Sequence, residues 1–216
     1  MDLGSFMQSR RKKNLVTAGI GCLVALLLVF GYLEIFTKGI DRLPDESCSG
    51  AVDRETAARA LPSARSAEER GKLHQDQLDG GFLFGCYVRT SGGSVISGEA
   101  ESRDSTSDGW RDFYAENGND KNPVEVSSGD IRALAHANRA FVYVPCTPPG
   151  KKPGEAREAH ALTVDARTIG ETRVHGRELR QVLIDFAYQL ARHTYEAVDC
   201  QESRTFPKEL PRLPAA

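Results

Sequence analysis

Phe82-Leu83-Phe84-Gly85-Cys86-Tyr87-Val88, followed after Arg89-Thr90 by Ser91-Gly92-Gly93 and the run Ser94 to Glu101, decides the fold class. The first segment is apolar and rich in β-favouring residues. Phe82, Phe84, Cys86 and Val88 recur at period two and so share one face of a strand. Ser91-Gly92-Gly93 supplies the backbone freedom of a tight turn. Ser94 to Glu101 therefore returns alongside as the second arm of a β-hairpin.

Working outward, Ala140-Phe141-Val142-Tyr143-Val144-Pro145-Cys146 is a second apolar strand. Leu162, Val164 and Ala166 alternate with Thr163, Asp165 and Arg167, predicting a half-buried strand hairpinned to it. Thr147 to Glu158, with its Pro-Pro-Gly-Lys-Lys-Pro-Gly core, reads as a mobile loop between the two. From Gly176 to Val198, Leu179, Val182, Leu183, Phe186, Leu190 and Thr194 recur at three- and four-residue steps and predict a long amphipathic helix. Upstream, Asp53 reads as the N-cap of a helix over Arg54 to Leu61 that Pro62 ends. Ser63 to Gln77 is polar and helix-permissive. Gly109-Trp110 to Tyr114 reads as a weaker strand, Asn117 to Asn122 as a turn, and Asp130 to Ala137 as a short helical turn. This order implies an α+β domain, an antiparallel sheet with helices packed on it.

The N-terminal end places the domain. Arg10-Arg11-Lys12-Lys13 precedes an uncharged, mostly apolar run of 19 residues from Leu15 to Leu33. At about 1.5 Å per residue such a helix nearly spans a hydrocarbon core of roughly 30 Å. The flanking cations favour the cytoplasmic side. A cleaved secretion signal has a shorter apolar core and a small-x-small site, which Glu34 to Ile40 does not offer. The expected organisation is a cytoplasmic basic stub over 1–14, a transmembrane helix over 15–36, a linker over 37–47, a disulfide-stabilised α+β domain outside the cytoplasm over 48–202, and a disordered tail over 203–216, which holds three prolines.

The chain has 30 acidic and 28 basic residues. Setting aside Asp2, Glu34, Arg10 to Lys13 and Lys38 leaves 28 against 23 beyond residue 38, a formal charge of −5. No concentrated basic footprint for nucleic acid is present. Of five cysteines, Cys22 lies in the apolar run, whereas Cys48, Cys86, Cys146 and Cys200 lie beyond it. An even count in an oxidising compartment reads as two disulfides. Three pairings are open, and Cys48–Cys86 with Cys146–Cys200 is favoured because each joins sequence-near segments flanking one helix-plus-strand unit.

The spacing Cys48-x-Gly50, Gly85-Cys86, Gly109-Trp110, Val144-Pro145-Cys146 and a long helix ending before Cys200 resembles a group of uncharacterised actinobacterial membrane-anchored or exported proteins. The resemblance implies a helix after the first cysteine and an Ala-rich helix before the last. It carries no catalytic residues.

Candidate chemistry is sparse. Asp104-x-Thr106-x-Asp108-Gly109 matches the front half of a calcium loop, but the twelfth position is Ala115, so a solvated turn is the better reading. His74, His136, His160, His175 and His193 show no metal-ligand spacing, and His175 and His193 read as surface or capping residues. Gly92-Gly93-Ser94-Val95-Ile96 departs from a nucleophile elbow at its last position. Glu99 and Glu101 share a strand face, as paired glycosidase carboxylates would, but nothing brings a polar cleft to them, and a solvated strand face is the better reading. Trp110 reads as a core anchor. No catalytic, cofactor-binding or metal-binding residue is assigned. The expectation is a membrane-anchored binding or interaction module with an envelope protein partner. The alternatives are a ligand carrier or enzyme with a site formed only in the fold, or a purely structural tether.

Overall fold

The computed structural model describes residues 3–75, 81–117, 120, 122–152 and 159–214; of residues 3–19 only the backbone is described. Seven strands form one antiparallel sheet: β3 (Ala67–Gln75), β4 (Phe82–Thr90), β5 (Val95–Asp104), β6 (Val124–Ser128), β7 (Ile131–Ala135), β8 (Arg139–Pro145) and β9 (His160–Ile169). Their spatial order is β3-β4-β5-β9-β8-β7-β6. The β4–β5 hairpin thus pairs through β9 with the hairpin formed by β8 and β9. A two-stranded ribbon, β1 (Glu46–Ser47) with β2 (Val52–Asp53), sits beside it.

The helix α4 (Gly176–Ala197) lies across one face of the large sheet, and the sheet is shaped to receive it. Cys86, Gly98, Ala166, Ala140 and Ala135 are cross-strand neighbours and form a row of small residues over five strands. A Cβ on Gly98 would stand 2.8 Å from Leu190 Cδ2 and 3.0 Å from a Phe186 ring carbon. Small side chains there let Phe186, Leu190 and Leu183 pack against the sheet, and these bury completely. The short helix α2 (Arg54–Ala60) packs on the outer side of α4. Asp53 occupies its N-cap position, but its carboxylate accepts from Gln189 on α4 at 2.9 Å instead of capping.

Four expectations need correction. Ser63 to Gln77 is not helical where described: Ala67–Gln75 is the edge strand β3. Its inward positions are Ala67, Glu69, Gly71 and Leu73, too mixed to show the alternation, and its conformation comes from nine residue pairs with β4. Residues 107–116 form a helix, α3 (Ser107–Glu116), rather than a strand. Thr106 caps it by accepting from the Gly109 N–H at 3.1 Å, and the spacing of Trp110 and Tyr114 lays both against the opposite face of the sheet with Phe141 and Tyr143. The expected helical turn at Asp130 to Ala137 is β7, hairpinned to β6. The tail from Ser203 to Pro214 is packed: Leu210 and Leu213 are buried, and Phe206 meets Tyr195 and Tyr188. The tail runs back along α4 because the outer side of that helix still has apolar area to cover.

The presumed linker is also structured. A 3-10 turn over Ile40–Arg42 follows α1 (Leu3–Thr37), and Ile40 and Leu43 are part of the core. The helix α1 therefore starts earlier than residue 15. Its Ile20–Thr37 stretch is long and apolar enough to cross a membrane, and none of that stretch is buried. Of the 147–158 loop, residues 153–158 lie outside the described residues, as do 118, 119 and 121 of the 117–122 turn.

Candidate functional site

Disulfides join Cys48 to Cys86 and Cys146 to Cys200. Around the second, Gln201 to Arg204 clasp the sheet. Glu202 accepts from Thr147 N at 2.8 Å and from Thr147 Oγ1 at 2.5 Å. Arg204 forks onto Asp130 and lies over the Tyr195 ring. Arg204 holds the Asp130 carboxyl below its usual value. Burial pushes Glu202 up, but the hydrogen bonds from Thr147 outweigh it and its net shift is downward. Carboxyls lowered in the folded state stabilise it above their unfolded pKa and lose that contribution as pH falls through the folded value. The melting temperature should therefore drop as pH goes from about 5 to 3, and Asp130→Asn should make the drop shallower. Thermal melts of the two chains across that range check this; identical slopes would contradict it.

A cleft of about 230 Å³ lies between α2, α4 and the C-terminal tail. Asp185 is its centre. Its carboxylate accepts from Arg59 at 3.0 Å, Arg212 at 3.1 Å and Gln181 at 2.8 Å. Gln189 bonds Asp53 and Thr56. The Tyr188 hydroxyl donates to Pro207 O at 2.5 Å, and burial pushes its pKa up to about 12. These groups satisfy one another. Through Asp185 and Arg212 the cleft clasps the tail against α4.

The other face of the sheet is only half covered. Among the described residues, α3 shields β7, β8 and the Ala161 end of β9, while β3, β4, β5 and the rest of β9 have no helix over them on that side. Strand register places Arg70, Lys72 and His74, then Leu83, Gly85, Tyr87 and Arg89, then Val95, Ser97, Glu99 and Glu101, then Asp165, Arg167 and Ile169 on this open face. Leu83 and Ile169 are among the few large apolar side chains of the domain left exposed. Arg139 forks onto Asp165 and stands 5.0 Å over Phe141, and Glu101 pairs with Arg103 at 2.7 Å. Arg70, Lys72, Arg89 and Arg167 make no ion pair among the described residues.

The residues singled out in the sequence are scattered over this frame. Glu99 and Glu101 do share the open face. Asp104 bonds His160 at 2.7 Å, whereas Asp108 sits in the first turn of α3, so the Asp104-to-Gly109 segment is a helix start rather than a solvated turn. His136 is buried, its Nε2 3.0 Å from Tyr114 O. His175 bonds Thr172 at 3.1 Å. His193 is half-buried: it packs edge-on against Phe84, and burial lowers its pKa. Trp110 is buried beneath the open face's neighbour α3. Among the described residues no three His, Cys, Asp or Glu side chains converge on a metal position. Sequence reasoning missed the basic residues of β3, because an edge strand read as helix hides which side chains share a face with Tyr87 and Arg167. No protein-family model, curated protein or solved structure matches the chain.

Proposed function

We propose that this is a single-pass membrane protein, N-terminus in the cytoplasm, whose disulfide-bonded domain stands outside and binds an envelope protein. The observation that carries the reading is the state of α1. Leu26, Leu28 and Phe30 are each more than three-fifths exposed, and no residue from Ile20 to Thr37 is buried against the domain. Lipid satisfies such a helix, and water does not. Two disulfides suit an oxidising compartment, and the cysteine spacing that resembles exported actinobacterial proteins supports the same placement. Support for binding rather than catalysis comes from the cleft at Asp185, whose central polar groups satisfy one another, and from the open sheet face. There Arg70, Lys72 and Arg167 stand with Glu99 and Glu101 around Tyr87 and Leu83, a mixed apolar and charged surface suited to a protein partner.

Alkaline carbonate extraction with protease protection tests the topology. The chain should stay with the membrane, and residues beyond 38 should be digested by protease added from outside. In-cell crosslinking from a photoreactive residue at position 87 should capture an envelope protein, and Arg70→Glu with Arg167→Glu should abolish that capture. A chain released by carbonate would refute the membrane placement; capture unchanged by charge reversal would refute the binding face.

A further inference from the structure

The junction between α1 and the domain has no slack. Gly39 N donates to Ala64 O at 2.7 Å, and Lys38 bridges Ala64 in a parallel β-bridge. A Cβ on Gly39 would fall 2.6 Å from Ala64 O and from Ser66 Cα, so the chain passes directly over that segment. Arg42 donates to Glu34 O at 2.6 Å, serving a carbonyl left free at the helix end, and to Arg65 O at 3.3 Å. Ser66 in turn is tied to the β4–β5 turn: Ser91 N donates to Ser66 O at 2.9 Å, and Ser66 N to Ser91 Oγ at 3.3 Å. The last apolar residue of the helix, Phe36, is thus three residues from a point locked to one end of the sheet.

That end has a definite character. The turn Ser91-Gly92-Gly93 is exposed, and next to it a shallow cleft is lined by Ser66, Glu68, Arg89, Thr90 and Ser91, with Glu68 directly across the strand pair from Arg89. Arg89 has no ion pair among the described residues, and Arg42, Arg65 and Arg173 are exposed nearby; Arg173 is fixed there through Ala60 O and Ser63. Asp41, Glu68 and Glu171 are the acidic residues of the same end. Ile169, more than half exposed, pairs with Val95 in the strand row closest to the turn, and Gly170 abuts Ser94. An exposed isoleucine beside arginines and small hydroxyl residues matches the lipid interface, where an apolar side chain dips and cations meet phosphates.

We infer that this end of the domain rests on the outer lipid headgroups of the membrane that α1 crosses, with Ile169 inserted and Arg89 and the Ser66–Ser91 cleft holding a lipid phosphate. The inference rests on the membrane reading above. It implies a domain held at one height and orientation on the bilayer, with the open sheet face presented sideways to other membrane-bound proteins rather than swung on a tether.

The full chain reconstituted in phosphatidylcholine vesicles, with or without phosphatidylglycerol, tests it through quenching of tryptophan fluorescence by brominated lipid. Ile169→Trp places a reporter in the row nearest the turn. Leu83→Trp places one on the same face about 20 Å farther along the strands. Trp110, buried in both, supplies a constant background read from the unsubstituted chain. Ile169→Trp should lose about half its added fluorescence and Leu83→Trp almost none, and adding Arg65→Glu and Arg89→Glu should remove any gain from phosphatidylglycerol. Equal quenching at both positions in a chain that floats with the vesicles and resists carbonate overturns the headgroup contact alone. A chain that does not float overturns the membrane reading and this inference with it.

Discussion

Removing the Cys146–Cys200 bridge by the double change Cys146→Ala and Cys200→Ala is expected to destabilise the domain by about 4 kcal/mol. The bridge closes a sequence separation of 54 residues, and the loss of chain entropy in the unfolded state grows with the logarithm of that length. The cost is large because of what the bridge ties. Cys146 directly follows β8 and Cys200 follows α4, so the bond fixes the sheet to the helix that covers it. Behind it, the bonds from Thr147 to Glu202 and from Tyr195 to Glu202 O hold the start of the tail. Freed from the bridge, that stretch gives up order that those bonds alone must maintain. For a domain of this size the melting temperature should fall by roughly 8–16 °C. The Cys48–Cys86 bridge, closing a separation of 38 residues, should contribute nearly as much. Together they are comparable to the whole stability of an ordinary domain, about 5–15 kcal/mol, so the fully reduced protein should be largely unfolded near body temperature. Guanidinium melts of the detergent-solubilised chain before and after reduction measure this. A change below about 1 kcal/mol for either pair would contradict it.

Gly71→Ala should cost about 3 kcal/mol or more, although it adds one methyl group to a solvent-edge strand. Gly71 pairs directly with Cys86 in the register of β3 with β4. Cys48 is bonded to Cys86, which brings the Cys48 backbone over Gly71: an added Cβ would lie 2.3 Å from both the carbonyl carbon and oxygen of Cys48. Backbone on both sides is held. Glu69 accepts from Cys48 N at 2.5 Å, and Ser49 Oγ donates to Gly71 O at 3.1 Å. Cys48 and Ser49 themselves adopt left-handed backbone, φ 59° and 61°, to make this tight approach. Neither partner can retreat without breaking the bridge or the edge of the sheet. Gly85→Ala is the matched control. It is also a strand glycine, on the neighbouring strand, with nothing within 4 Å of the added atom. It should be neutral within about 0.5 kcal/mol or mildly stabilising, since alanine loses less backbone entropy on folding. Denaturant midpoints for the two single variants decide the matter; equal effects would show that the contact at Cys48 is not what makes Gly71 necessary.

The same neighbourhood shows why parts of the fold were readable and others not. β4, β8 and β9 announce themselves because each carries Phe, Val, Ile or Leu on a buried face, and β5 because the Ser91-Gly92-Gly93 turn returns the chain beside β4. α4 does so because its apolar stripe is long. β3 does not: its inward positions include a glycine and a glutamate whose partner, Cys48, lies 21 residues upstream of Glu69. α3 was obscured by the β preference of Trp110, Phe113 and Tyr114, and only the sheet surface of Phe141 and Tyr143 makes its helical spacing useful. The basic residues of the open face were visible one by one, but no periodicity in the sequence says that Arg70 and Arg167 stand on the same side of a sheet.

What the amino-acid sequence determined by itself is local: an apolar N-terminal helix, two hairpins, a long amphipathic helix and four cysteines beyond the apolar run. Those follow from side-chain pattern over neighbouring residues, where the energetic preference of each segment does not depend on distant partners. Tertiary structure decided the rest. It made an edge strand of a charged segment, docked the proline-bearing tail by seating Leu213 where its N–H donates to Gln181, 32 residues away, and locked Gly39 to Ala64 so that helix and domain are joined without a tether. Each of those outcomes is set by a surface that exists only once the sheet and α4 have assembled, and short stretches of polar or proline-rich chain adopt whatever conformation that surface rewards.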